Sequence, residues 1–131
     1  MALLRIEKDN GIATVYLNRP EKRNAMSFAL LKELVSTAEK FKKDRSLRCV
    51  ILTGEAQVFS AGIDLADLNN PKNKAFAAWE LVKPGQSLFQ KAFLIWQELP
   101  VPVISAIEGF CFGAGMQLAL ASDIRIAHPK T

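Results

Sequence analysis

Two short stretches of small residues hold most of the chemical promise of this sequence. The first is Phe59-Ser60-Ala61-Gly62-Ile63-Asp64-Leu65. The second is Gly109-Phe110-Cys111-Phe112-Gly113-Ala114-Gly115-Met116-Gln117. Each follows a run of β-forming apolar residues, and open α/β sheets bind ligands beyond the carboxyl ends of their strands. Small side chains let a ligand come close to the backbone. A helix opening at Gly113-Ala114 would also offer N–H groups without intrahelical partners, with a partial positive charge behind them. Two such groups converging on one point would seat a carbonyl oxygen that gains negative charge, where losing one donor typically costs ~2.7–4 kcal/mol of transition-state stabilisation. Spacing alone leaves a plainer reading open, in which the glycines only permit tight strand–helix packing.

Other chemistries are excluded by missing patterns. GxxxxGK[ST] is absent, so there is no P-loop. Gly109, Gly113 and Gly115 read G-x-x-x-G-x-G, which is not the dinucleotide fingerprint. No G-x-S-x-G elbow occurs. The single histidine, His128, excludes HExxH and multi-histidine metal centres, so no metal site is expected. It reads as a surface residue at the end of a strand. Cys49 and Cys111 lie in apolar runs without a CxxC pair and read as small buried hydrophobes in a reducing compartment.

The elements that must hold these turns follow from the hydrophobic pattern. Leu4 to Glu7 alternates, Asp9-Asn10-Gly11 is turn chemistry, and Ile12 to Leu17 is β-rich, which together predict a hairpin. Ser27 is placed to cap a helix whose stripe is Leu31, Leu34, Val35, Ala38 and Phe41. Cys49 to Thr53 and Val103 to Ile107 read as strands buried on both faces, the habit of parallel sheets. The segment around Asn69 to Asn73 reads as a mobile loop. A helical region is expected from about Phe76 to Glu98, broken at Pro84-Gly85, and a short helix from Gly113 through Ala121. Asp123 to Ala127 alternates as a last strand. The predicted class is α/β, one domain over residues 1–131, with parallel strands joined by crossover helices after an N-terminal β-hairpin.

The chain has 131 residues, half of them hydrophobic, which suits one folded domain. No apolar run reaches the ~18–20 residues of a membrane helix, and the charged N-terminus holds no signal-peptide core, so no membrane partner and a cytoplasmic location are expected. Seventeen Lys and Arg against thirteen Asp and Glu give a net charge of +4. The basic stretches Lys22-Arg23, Lys40 to Arg45 and Lys72 to Lys74 are short and mixed with acids, so no nucleic-acid partner is expected.

Four stretches taken together resemble the crotonase superfamily, the enoyl-CoA hydratases and isomerases. They are Asn18-Arg19-Pro20 with Asn24-Ala25, the turn Phe59 to Leu65, the run Pro102 to Gly109, and the run Gly113 to Asp123. They stand in the family's order at family-like spacing and span nearly the whole chain. The resemblance implies the N-terminal part of a crotonase-like ββα spiral that binds an acyl-CoA thioester. It also implies that the main-chain N–H groups of Ile63 and Ala114 hold the thioester oxygen while an enolate-like species forms. Lys22, Arg23, Ala25, Ser60, Ala61, Gly62, Asp64, Leu65, Phe112 and Gly113 then form the substrate cradle. No cofactor is implied, because coenzyme A is part of the substrate. Family members assemble as trimers and hexamers, so a homo-trimer or hexamer is expected.

Two departures qualify this resemblance. Hydratases of the family carry a glutamate where this sequence has Gln117, and a neutral amide cannot serve as a general base. Gln117 could instead orient a water or hydrogen-bond the substrate. The turn around Ile63-Asp64-Leu65 looks closer to the dienoyl-CoA isomerase branch. Family members also continue beyond Thr131 to a second catalytic carboxylate, so a partial chain is expected. A non-catalytic CoA-binding or assembly fragment is the competing reading. Glu108 is a weak substitute base. Asp64 is expected to organise its own turn, and Asp123 to close a helix–strand joint.

Overall fold

Leu4–Asp9 (β1) and Ile12–Leu17 (β2) form the expected hairpin in the computed structural model of the protein, which describes residues 2–131. They pair antiparallel, and the turn residues Asn10 and Gly11 have φ of 51° and 81°. Asn and Gly tolerate that left-handed backbone, and it matches the twist of the flanking strands. Cys49–Gly54 (β3), Val103–Ile107 (β4) and Ile124–Ala127 (β5) then join in chain order, each parallel to the one before. The α/β class and the hairpin-then-parallel order are those expected.

The longest helix, Phe28–Lys42 (α1), begins where Ser27 Oγ accepts the Leu30 N–H at 3.1 Å. Its apolar stripe buries Leu30, Leu31, Leu34 and Ala38. It packs against Leu88–Leu94 (α4) and the 3₁₀ turn Ile95–Glu98 that continues it, where the Phe41 and Trp96 rings meet edge to face at 6.3 Å. Beneath them lie Ala13, Val15 and Leu17 of β2, Val50 and Leu52 of β3, and Val103 and Ile107 of β4. Each large side chain fully buried there contributes about 1.5–3 kcal/mol relative to exposure.

Four expectations need correction. β3 and β4 are not buried on both faces. Val50, Leu52, Val103, Ser105 and Ile107 are buried, whereas Ile51, Ile104 and Ala106 on the opposite face are only half-buried. Helices α1 and α4 account for cover on one side alone. The stretch predicted as a mobile loop is ordered into Leu65–Leu68 (α2) and Pro71–Val82 (α3). Asn70 Oδ1 accepts the Lys72 N–H at 3.0 Å, and Pro71 takes the first helical position, where its missing N–H costs nothing. The long helical region breaks at Pro84-Gly85 as expected, but α3 starts earlier, at Pro71, and Ile95–Glu98 is a 3₁₀ turn. Both cysteines are free but half-buried rather than buried.

Candidate functional site

The turn after Phe59 is pinned from both sides. Toward the β4 end, Phe59 N–H and Ser60 N–H donate to the carbonyls of Glu108 and Phe110, and Phe112 N–H donates to Ser60 O at 3.1 Å. On the other side, Ala61 N–H reaches Arg23 O, Met26 N–H reaches Gly62 O at 2.7 Å, and Asp64 N–H reaches Met26 O at 3.0 Å. These last two bonds bracket Ile63. A trans peptide holds its C=O and N–H antiparallel, so Gly62 O turned toward Met26 sends the Ile63 N–H the opposite way. Gly62 has φ of 103°, a backbone that side-chain-bearing residues rarely adopt.

The second turn presents Ala114 in the same manner. Gly113 has φ of 49° and ψ of −114° and precedes Ala114–Leu120 (α5), which no side chain caps. Gly113 O accepts the Gln117 N–H at 3.0 Å and so points along the helix, and the Ala114 N–H of the same peptide points back out of it. The two turns touch. A Cβ built on Gly62 would lie 3.1 Å from Phe112 O and 3.9 Å from the Ala114 nitrogen. Neither the Ile63 nor the Ala114 N–H has a hydrogen-bond partner among the described residues. Two fixed donors of this kind can receive an outside oxygen without reorganising.

Side chains brace the first turn. Arg19 Nη2 donates to Asp64 Oδ2 at 3.0 Å, both side chains are 14% exposed, and Arg19 Nη1 donates to Ala25 O at 2.6 Å. Asp64 Oδ1 accepts the Ala66 and Asp67 N–H groups and caps α2, the turn-organising role expected of it. Burial pushes the Asp64 carboxyl up, but the Asp67 amide and the Arg19 guanidinium outweigh it and hold it below the usual carboxylate value. Asn24, fully buried, accepts from Arg19 N–H and donates to Glu55 O and Val58 O. Arg19 and Asn24 lie in stretches that carried the resemblance, yet spacing alone could not show that they reach 45 and 34 residues along the chain.

The remaining expected residues fall in two groups. Arg23, Ala25, Ser60, Ala61, Gly62, Asp64, Phe112 and Gly113 surround the two turns. Lys22 and Arg23 are exposed at and after the 3₁₀ turn Pro20–Lys22, and the Arg23 guanidinium lies 5.5 Å from the Phe110 ring. Phe110, which no motif singles out, stacks on Phe112 with ring centroids 5.1 Å apart. Leu65 is 68% exposed at the start of α2. Gln117 lies one helical turn past Ala114 and faces an open groove of about 490 Å³, lined also by Leu81, Phe89, Phe93, Leu94 and Leu120. The groove draws on α3, α4 and α5, so no single motif announces it. Asp123 closes its joint as expected, its N–H and carboxylate both paired with Val103. Glu108 is exposed, and only its carbonyl is used, by Phe59.

The family model described as enoyl-CoA hydratase/isomerase matches residues 7–131. The mitochondrial Delta(3,5)-Delta(2,4)-dienoyl-CoA isomerase of Mus musculus is 43% identical over 117 residues, which cover 85% of this chain and 36% of that protein. YngF of Bacillus subtilis (strain 168) is 37% identical over 127 residues, 96% of this chain and 46% of that one. The crystal structure of an enoyl-CoA hydratase from Bacillus anthracis superposes with a TM-score of 0.83 at 32% identity, covering 96% of this chain and 47% of the other. The chain thus spans between a third and a half of the length of these relatives.

Proposed function

The chain belongs to the enoyl-CoA hydratase/isomerase family, and from that premise we propose that it binds an acyl-CoA thioester and stabilises an enolate on it. The main-chain N–H groups of Ile63 and Ala114 donate to the thioester oxygen. Drawing charge onto that oxygen acidifies the neighbouring carbon, and both donors are already in place when the charge arrives. Lys22 and Arg23 serve the coenzyme A phosphates. Ala25, Ala61, Gly62, Asp64, Leu65, Phe112 and Gly113 line the path of the pantetheine and adenine, and Ser60, fully buried, stands behind that lining rather than in it. Coenzyme A enters as part of the substrate, with no separate cofactor.

The reaction we favour is double-bond isomerisation. Gln117 is neutral and cannot take a proton from water as a hydratase base does, but its amide can hold the substrate or a water in place. The identity to a dienoyl-CoA isomerase supports this choice over hydration. Assembly as a homo-trimer or hexamer and a cytoplasmic setting belong to the same proposal. The exposed Ile124 and Ile126 of β5 support association.

The observation that carries the reading is the pair of unpaired amides, each presented by a positive-φ glycine, on turns that touch. Titrating the ¹⁵N-labelled chain with an acyl-CoA tests it. The Ile63 and Ala114 amide protons should move downfield together. Binding that leaves both unmoved overturns the assignment. Rapid crotonyl-CoA hydration, unchanged by Gln117→Ala, would overturn the isomerase choice.

A further inference from the structure

Ser60 is fully buried, and its hydroxyl is engaged twice. Its Oγ donates to Asn24 O at 2.8 Å and accepts the Gly62 N–H at 3.1 Å. The main chain of the same residue bonds to Phe110 O and to Phe112 N–H. Gly115, in the first turn of α5, sits so close that a Cβ there would lie 2.8 Å from both Ser60 Cβ and Ser60 O. One residue therefore touches the loop of Asn24, the turn that presents Ile63, and the helix start that presents Ala114.

The Gly62 N–H fixes the peptide immediately before the one that carries the Ile63 N–H. With the Ser60 hydroxyl removed, that peptide loses its anchor and the Asn24 carbonyl loses a donor. The backbone ladder to Phe110 and Phe112 stays. The consequence falls on the aim of one amide rather than on the fold, and donor aim is what an oxygen seat depends on.

We propose that the Ser60 hydroxyl is a positioning group that sets the Ile63 N–H against the Ala114 N–H and so tunes the polarisation of a bound thioester carbonyl. This rests on the thioester reading above. Ser105 provides the contrast within the same molecule, being fully buried with a hydroxyl that has no partner among the described residues.

The test uses butyryl-CoA carrying ¹³C at the carbonyl, with free coenzyme A as the second ligand. Infrared difference spectra report carbonyl polarisation, and calorimetry reports affinity. In the wild-type chain the bound carbonyl stretch should fall below its value in water. In Ser60→Ala the affinity for free coenzyme A should hold while the stretch returns toward the free value. Ser60→Cys, with a weaker and slightly longer donor and acceptor, should fall between. Ser105→Ala should match wild type. A folded Ser60→Ala with the full wild-type stretch overturns the inference. So does a parallel loss of coenzyme A binding and polarisation, which would mark a merely structural residue. Should the alanine variant not fold, a full wild-type stretch in Ser60→Cys overturns it equally. A wild-type chain with no carbonyl shift sinks the thioester reading itself, a different result from any of these.

Discussion

The turns that present Ile63 and Ala114 reach the same end by different means. The first adds side-chain bonds to its main-chain pins: the Ser60 hydroxyl, the Asn24 amide and the ion pair of Asp64 with Arg19. The second is held by main chain alone. Its conformation belongs to Gly113, and its bonds run from Gly115 N–H to Phe112 O and from Gln117 N–H to Gly113 O. A backbone-built turn depends on one local residue type. A turn braced by side chains depends also on distant residues and on protonation, so the two should fail under different insults.

The largest effect is expected from Arg19→Leu. It leaves the Asp64 carboxylate mostly buried without its cation, and should lower unfolding stability by about 2–3 kcal/mol in urea titration. Resonances of residues 60–66 should move and those of 113–117 should not. A loss of a few tenths, spread evenly, would break the contrast.

Gly113→Ala is the converse. Nothing lies within 4 Å of a Cβ there, so the whole cost is conformational, about 1–3 kcal/mol for a side chain forced to this φ and ψ. The Ala114 amide should shift while Ile63 stays.

Acid should act on the first turn only. The Asp64 carboxyl is held below its ordinary value, so its contribution is fully present above the unfolded-state pKa and is lost as pH falls through the folded one. Stability should therefore decline below about pH 4. Asp44, held down to about 2 by Lys8 and Ser46, shares that decline, so the Asp64 part is read as the difference between wild type and Asp64→Asn. Equal acid slopes in the two proteins would remove protonation from the contrast.

The smallest effect sharpens the comparison of the buried serines. Ser105→Ala removes a hydroxyl that bonds to nothing and should be neutral or stabilising by up to about 1 kcal/mol in thermal unfolding.

What could be read before the coordinates follows the same division. Asn10-Gly11 announced the hairpin, and Ser27 announced α1, because each acts on its own neighbours. The glycines at 62 and 113 marked where the backbone matters. The aim of the Ile63 N–H could not be read, since it depends in part on the Met26 N–H, which holds Gly62 O from 36 positions away. Asn70-Pro71 misled because the same dipeptide suits both a loop and a capped helix start. The covered and open faces of β3 and β4 were misread because apolar content alone does not say which side receives a helix.

The outer edge of β5 has a practical consequence. The strand is exposed at all four positions, Ile124 and Ile126 are 51% and 62% exposed, and among the described residues its far side has no neighbour. A free row of peptide groups flanked by isoleucines is a template for lateral stacking of further copies. A preparation of residues 1–131 alone should therefore scatter more light as it is concentrated, and Ile126→Lys should delay that onset without disturbing the two turns.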